Sequence, residues 1–406
     1  MTIDSDVPLF PMPRTTPFDP PDEYAALSAN GPVHRGVMPT GQQVWLVTGH
    51  ESVRRILADP RVSSNRRHPS FPTLAGSTPE MRAAQATITE ALVSADPPEH
   101  TTRRRLLITE FTVRRVHALR PRIQEIVDAR IDALLAAGPP ADLFADLALP
   151  VPSLVICELL GVPYADREFF QARTRLMIAQ STPPAERHQA TAEMHGYFHQ
   201  LITAKEADPG DDLIGRLIVR DGESPGGRAF DHRLLVGLAT LLLIAGHETT
   251  SNVISLGTLA LLRHPDQLAK LMADPSLVPS TVEELLRYLS IVESGFRVAT
   301  ADIEVGDTVI RAGEPLITIA GSANRDDTAF EHADDFDITR NARHHVAFGY
   351  GIHQCLGQNL ARSELEVVFR TLFQRMPGLR LAVPLDDVPF KDDSTIYGVH
   401  GLPVTW

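Results

Sequence analysis

A mainly α fold with a smaller β-rich region is what this sequence predicts. Two observations carry the prediction. Apolar residues recur at helical spacing over most of the length, and strand-like alternation is confined to two short places. A third concerns organisation. No repeat, low-complexity linker or charge block divides the 406 residues, so residues 1–406 are expected to form a single domain.

The elements follow in chain order. The opening MTIDSDVPLFPMPRTTPFDPPDEY is acidic and proline-rich and lacks the charged-then-apolar pattern of a signal peptide. QVWLVT, residues 43–48, reads as the first strand. Residues 101–119 and 121–137 have helical spacing, the second stretch opening on Pro121. The same spacing recurs over 231–263, 279–289 and 356–375, with AAGPPAD and RHPDQ as punctuation. Between the last two lies RVATADIEVGDTVIRAGEPLITIAGSANRD, residues 297–326, rich in Val, Ile and Thr, with GD and AGE as turn signals.

Composition narrows the function. A hydrophobic content of 43% supports a large core, and a net charge of −13 argues against a nucleic-acid protein. The two cysteines, Cys157 and Cys355, cannot form a disulfide framework, which fits a reducing cytosol. The longest uncharged run, LLVGLATLLLIAG (234–246), is too short to span a bilayer and reads as a buried helix. A soluble cytoplasmic protein, with no membrane partner, is therefore expected. One segment opposes the acidic balance. Residues 103–122 hold seven arginines and one acid, Glu110. That is either a solvated helix face or a docking patch for an acidic partner.

FGYGIHQCLG, residues 348–357, raises the sharpest question. Gly349 and Gly351 permit backbone angles and close approaches that other residues cannot make. A helix starting near Leu356 would aim its N–H groups and dipole at the Cys355 sulfur and favour thiolate. The loop therefore suits an anionic sulfur held close to something flat. A buried structural cysteine needs no flanking glycines, and Cys157, inside SLVICELL, is the better case of that kind. Zinc held by His353 and Cys355 would need further ligands at characteristic spacing, which no CxxC pair supplies. A cysteine nucleophile needs a partner base, which the residues leave open. An axial thiolate to haem iron is the remaining candidate.

This segment resembles the haem-binding signature of the cytochrome P450 family, FxxGxxxCxG, and other family motifs follow in the family's order. AGHETT, residues 245–250, resembles the AGxET of the oxygen-activating helix. His247-Glu248 is not a zinc-protease HExxH, because Ser251 stands where the second histidine belongs. Taken alone, Thr249 and Thr250 would bond back to helix carbonyls. The resemblance implies instead that Ala245 and Gly246 leave room for dioxygen and that Glu248 and Thr249 relay protons to it. Glu284 and Arg287 in EELLRY sit three apart on one helix face, and alone they would be an ordinary pair. They match the family's ExxR element, with Arg340 of FDITR as its third, structural member.

The cofactor implied is haem b, whose two propionates need cations or donors. ADPPEHTTRRR (95–105) resembles the start of the family's C helix and implies His100 and Arg104 as contacts. Thr102 and Arg103 stand where the family often has an arginine followed by an apolar residue. Arg297 and His353 match two more contacts. Each of the four alone would be read more plainly, as a cap or a strand-edge residue, but all four fall in register.

The resemblance spans nearly the whole chain and points to soluble actinomycete members acting on large apolar natural products or drugs. ANRDD (323–327) departs by lacking a final proline. A member of that class implies a monomeric monooxygenase that hydroxylates a bulky hydrophobic molecule such as a macrolide, polyketide, statin precursor or sterol-like compound. It would use O2 and electrons from a ferredoxin and its NAD(P)H-dependent reductase. The arginine-rich segment would then dock the ferredoxin. The pocket is expected from residues 63–94, a mobile lid over 169–198, Leu241, Leu242, Ala245, residues 291–296 and Ile396. Arg66, Arg67, His68, Arg173 and Arg175 could meet a ligand carboxylate, but they read first as surface residues. A non-catalytic haem sensor would need no proton relay, and peroxide-driven members tend to lack the acid–alcohol pair, so Glu248 and Thr249 favour the monooxygenase.

Overall fold

The computed structural model describes residues 7–74, 83, 86, 88, 90–224 and 228–406. Helices dominate: α1 (Glu23–Ala29), α2 (His50–Ala58), α3 (Glu99–Ile108), α4 (Val113–Ala137), α5 (Pro150–Leu160), α6 (Arg167–Ile178) and α7 (Pro184–Ala207). They continue as α8 (Leu213–Gly222), α9 (His232–Arg263), α10 (Pro265–Ala273), α11 (Val278–Leu289), α12 (Ala320–Ala323) and α13 (Gln358–Arg375). The strands are β1 (Val33–Val37), β2 (Gln43–Val47), β3 (Val62–Ser63), β4 (Ala141–Asp142), β5 (Ser294–Ala299), β6 (Ile303–Val305), β7 (Thr308–Ile310), β8 (Pro315–Ile319), β9 (Arg380–Leu381) and β10 (Pro403–Thr405). The expected class, mainly α with a smaller β-rich region, is the one observed.

Helix α9 is the axis of the fold. Asp231 starts it by accepting a hydrogen bond from the Leu234 N–H at 2.7 Å. It packs against α5, α7, α11 and α13. By length and composition α9 could cross a membrane, but 72% of its most apolar stretch is buried inside the protein. The run 234–246 belongs to this longer core helix, so the protein itself supplies the apolar surroundings. Each fully buried leucine here contributes about 2 kcal/mol.

Two expected boundaries move. The break anticipated before Pro121 falls instead at residues 109–112, and α4 runs straight through Pro121. Thr112 caps α4, its hydroxyl accepting from the Arg115 N–H at 3.4 Å. Glu110, within the break, is buried against Arg216 (2.7 Å) and Arg220 of α8. A proline inside a helix costs about 3 kcal/mol. Beyond it, Ile123, Ile126, Val127, Ile131 and Leu134 are all buried. At roughly 1.5–3 kcal/mol each, that stripe outweighs the proline. In the β-rich region, strand structure begins at Ser294 and ends at Ile319, where α12 takes over.

The main sheet has the order β1-β2-β8-β5-β3, parallel only between β2 and β8. Its register sets Arg297 of β5 opposite Leu316 of β8. The C-terminal strand β10 lies between β4 and β9.

The chain between α12 and α13 has little regular structure and is held by one buried fork. Arg287 donates to both Glu284 oxygens at 2.8 Å, and neither side chain is exposed to solvent. Its remaining N–H groups reach the carbonyls of Asn324 (2.8 Å), Ala333 (2.6 Å) and Asp335 (3.0 Å). Arg340 adds a hydrogen bond to Glu284 at 3.3 Å, and the Asp337 N–H adds another at 2.9 Å. The expected Glu284–Arg287–Arg340 triad is thus formed. An exposed pair at this spacing would contribute almost nothing. Buried, its loss strands a carboxylate and three carbonyls. Arg287→Ala should therefore lose about 3–5 kcal/mol in chemical denaturation. Arg287→Lys, which keeps the charge but not the fork, should fall between it and the wild type. An unchanged denaturation midpoint in Arg287→Ala would contradict this role.

Candidate functional site

Residues 348–357 form a tight loop ahead of α13. Gly349 and Gly351 have φ of 68° and 71°, in the left-handed region. A Cβ on Gly351 would lie 2.3 Å from the Leu57 carbonyl oxygen, so the loop seats directly on α2. The Cys355 N–H donates to the Phe348 carbonyl at 2.8 Å, closing the turn. Burial pushes the Cys355 thiol up, while the Gly357 and Gln358 N–H groups, Arg104 and Arg362 favour thiolate. Arg104 and Arg362 are guanidinium groups and cannot serve as a base. No group of His, Cys, Asp or Glu side chains suited to a metal ion forms among the described residues. The nucleophile and zinc readings therefore gain no partner here.

Beside this loop, basic side chains gather with Asp96 as the one acid acting on His100 and Arg297. His100 is buried, neither of its ring nitrogens has a partner, and its ring lies 4.2 Å from that of His353. Burial, His100, Arg297 and Arg104 together hold His353 down to about 3. Burial and Arg66 pull Arg297 down to about 10. By exposed area Arg297 and Arg66 are only half-buried, yet protein atoms surround them closely, as they do in a cavity wall. Arg66, read from sequence as a surface residue, belongs to this group. Arg103 is committed elsewhere, to the carbonyls of Glu90 (2.9 Å) and Ala229 (3.3 Å). Arg104 instead reaches the loop, donating to the Gln354 carbonyl at 2.6 Å. All four expected positions, His100, Arg104, Arg297 and His353, thus converge. Orphaned buried nitrogens beside the Arg104 and Arg297 guanidinium groups are the complement of a dianion, and they fit two propionates.

Across the opening runs α9. From residue 234 to residue 262 Ala245 is the one exposed position, with Leu241, Ile244, Gly246 and Thr249 partly exposed beside it. That stripe, inside a core helix, is the wall of an internal space. Leu242, expected on the wall, points into the core instead. Gly246 also departs from expectation. A Cβ there would sit 2.7 Å from Ile156 Cγ1, so its missing side chain admits α5. Thr249 Oγ1 donates to the Ala245 carbonyl at 2.8 Å, the back-bond typical of a helical threonine. Its lone pairs remain available as acceptors.

Glu248 and Thr249 are adjacent in sequence but not joined. Glu248 turns into the core, where its Oε2 lies 3.8 Å from Lys391 Nζ and its Oε1 lies 3.4 Å from His247 Nε2. Burial pushes this carboxyl up, but His247, Lys391 and Arg175 outweigh it and hold the carboxyl below its usual range.

A network missed from the sequence supports the loop from behind. Arg362 of α13 pairs with Glu283 at 2.5 Å, and His345 Nε2 lies 3.2 Å from the same carboxylate. The Arg362 guanidinium also lies 4.6 Å from the centre of the Phe348 ring. The doubled acid in EELLRY was its visible trace.

Comparison with known proteins agrees with this geometry. The family model for cytochrome P450 matches residues 29–276 and 272–400. The chain is 52% identical to the pentalenic acid synthase of Streptomyces avermitilis, over 98% of this chain and 97% of that one. It is 50% identical to the vitamin D3 dihydroxylase of Streptomyces griseolus, over 99% and 98%. Among solved structures, it superposes on the mycinamicin VIII C21 methyl hydroxylase of Micromonospora griseorubida, bound to mycinamicin VIII, with a TM-score of 0.91. The identity there is 43%, covering 98% of this chain and 100% of that one.

The Glu283 network predicts a pH signature. Burial raises this carboxyl, but hydrogen bonds from His345 and Arg362 bring it from 4.5 to about 2. A carboxyl lowered by folding contributes stability in full above its unfolded value and loses it as pH falls toward the folded one. Between pH 4.5 and about 2, the wild type should therefore lose up to about 3 kcal/mol that Glu283→Gln does not. Parallel stability–pH curves for the two proteins would contradict the assignment.

Proposed function

The chain belongs to the cytochrome P450 family of haem-thiolate monooxygenases, and from that premise we propose the following division of labour. The 406 residues act as one catalytic unit, a cytoplasmic monomer. Cys355 is the axial thiolate, and His100, Arg104, Arg297 and His353 hold the propionates of haem b. The orphaned nitrogens of His100 and His353 are the observation that carries this reading. Haem held there by thiolate would supply the site at which dioxygen is activated, with the overall balance that RH, O2, two electrons and two protons give ROH and water.

The protein's own residues do the rest. Ala245 keeps a side-chain-poor surface over the reaction space. Thr249, its proton committed to Ala245, accepts a hydrogen bond there and fixes a water or an oxygen atom at its hydroxyl. Glu248 is the carboxylate through which protons reach that hydroxyl from the protein interior. Leu241, Ile244 and Ile396 offer apolar contact to a bulky hydrophobic substrate oriented by few polar groups. The pocket segment expected over 63–94 includes residues 75–82, 84, 85, 87 and 89, which lie outside the described residues. The relatives' names span pentalenic acid, vitamin D3 and mycinamicin VIII, and two of them name a hydroxylase, which supports hydroxylation here.

Electrons come from a ferredoxin, fed by an NAD(P)H-dependent reductase. Its docking surface is the face formed by α3, the start of α4 and the cysteine loop. Three of the arginines expected there are already paired: Arg115 with Glu110, Arg120 with Glu366, and Arg122 with Glu158 and Glu125. Arg105 and Arg114 are exposed and carry no ion pair among the described residues, and Ile108, Val113 and Ile352 expose apolar surface nearby. A basic rim around an apolar centre suits an acidic redox protein.

The reading is tested with isotopically labelled dioxygen: one labelled atom should appear per product molecule, and label confined to water would overturn it. Thr249→Ala should keep its haem but lower product formed per NAD(P)H by about tenfold or more. Unchanged coupling would remove the threonine from proton delivery. Arg114→Glu should slow reduction by ferredoxin and flatten its salt dependence while leaving substrate affinity intact. An unchanged salt slope would move the docking site elsewhere.

A further inference from the structure

The chain has only three lysines, Lys205, Lys270 and Lys391, and Lys391 is 7% exposed. A buried ammonium is costly unless something compensates it. Its Nζ donates to Asn252 Oδ1 at 3.1 Å, lies 3.8 Å from Glu248 Oε2, and sits 4.6 Å from the centre of the Phe144 ring. Asn252 in turn donates to the Glu248 carbonyl at 2.8 Å. Lys391 therefore meets both the side chain and, through Asn252, the backbone of one residue.

We propose that Lys391 is a positioning residue that keeps Glu248 ionised and parked on the side of α9 turned away from Thr249. The consequence for turnover rests on the proton-delivery reading above, but the pairing itself does not.

Three further observations support it. His247 also lowers Glu248, but its ring is tied back to its own helix. Its Nδ1 lies 2.7 Å from the Leu243 carbonyl and must carry a proton to bond there. Its Nε2 lies 3.4 Å from Glu248 Oε1 without the alignment of a hydrogen bond, so it does not fix the carboxylate's position. Arg175 of α6 acts on Glu248 only through its charge. Around Lys391, the other charged groups are Arg175, His400, Asp392 and Asp393. Finally, the loop holding Lys391 is clamped. Its N–H donates to the Gly398 carbonyl at 2.9 Å, and a Cβ on Gly398 would fall 1.8 Å from Asn252 Oδ1. The Gln180 N–H also donates to the Asp393 carbonyl at 2.7 Å, tying the loop to the chain that leaves α6.

The test is infrared spectroscopy of the haem-loaded protein at neutral pH, without substrate, in the region of the protonated-carboxyl C=O stretch. Buried Glu364, whose carboxyl burial pushes well above its usual range, is present in every variant and adds the same background to each. Wild type and Glu248→Gln should have the same spectrum there, because Glu248 is ionised. Lys391→Met should gain a protonated-carboxyl band that disappears in Lys391→Met/Glu248→Gln, and Lys391→Arg should not gain it. No new band in Lys391→Met overturns the proposal. A Glu248 band already present in the wild type overturns it as well, and that comparison needs no change at Lys391 if the methionine variant fails to fold. Neither outcome depends on turnover, so a failed proton-delivery role for Glu248 would be seen separately.

Discussion

A cluster of basic side chains whose one nearby acid is engaged elsewhere is the constraint around which this protein is arranged. His100, Arg104, Arg297, His353 and Arg66 approach one another beside the cysteine loop, and burial, His100 and two arginines hold His353 down. Evolution could have relieved this with a single acid, and one is near: Asp96 acts on Arg297 but is engaged by Ser63 and by the Ser64 N–H at 2.9 Å. Repulsion left unrelieved in a core is destabilising until an anion arrives. In the proposed reading, the cofactor that brings the propionates also offers the flat, close partner that the Cys355 loop suits. The anion site and the thiolate site are thus one requirement seen from two sides.

Such a site needs a rigid frame, because little regular structure links α12 to the cysteine loop. The Glu284–Arg287 fork provides it from below, donating to three carbonyls of that connection. Glu283, one residue away, anchors Arg362 and His345 behind Phe348. Adjacent acids on α11 therefore hold two successive parts of the chain leading to Cys355. The distal wall has a different economy. There α9 leaves a narrow opening at Ala245, while Gly246 is given over to packing against Ile156.

Much of this was legible in the sequence because spacing along a helix or within a tight loop is local information. FGYGIHQCLG specifies its own turn, and EELLRY puts Glu284 and Arg287 on one face whatever surrounds them. The boundary near Pro121 was misplaced because a proline penalty is local while the burial that offsets it, from Ile123 to Leu134, comes from tertiary packing. The partner of Glu248 was invisible for the same reason. Lys391 lies on a loop far along the chain, and only the fold brings it to α9. Arg66 looked like a surface arginine because an internal cavity cannot be told from solvent by pattern alone.

The central claim is that Cys355 offers its sulfur as thiolate to haem iron. The most direct test is the absorption difference spectrum of the reduced protein with and without carbon monoxide. The account predicts the strongly red-shifted Soret band of thiolate-ligated haem, lost in Cys355→Ser. A band at the position of histidine-ligated haem in the wild type, or one unchanged by Cys355→Ser, would contradict it.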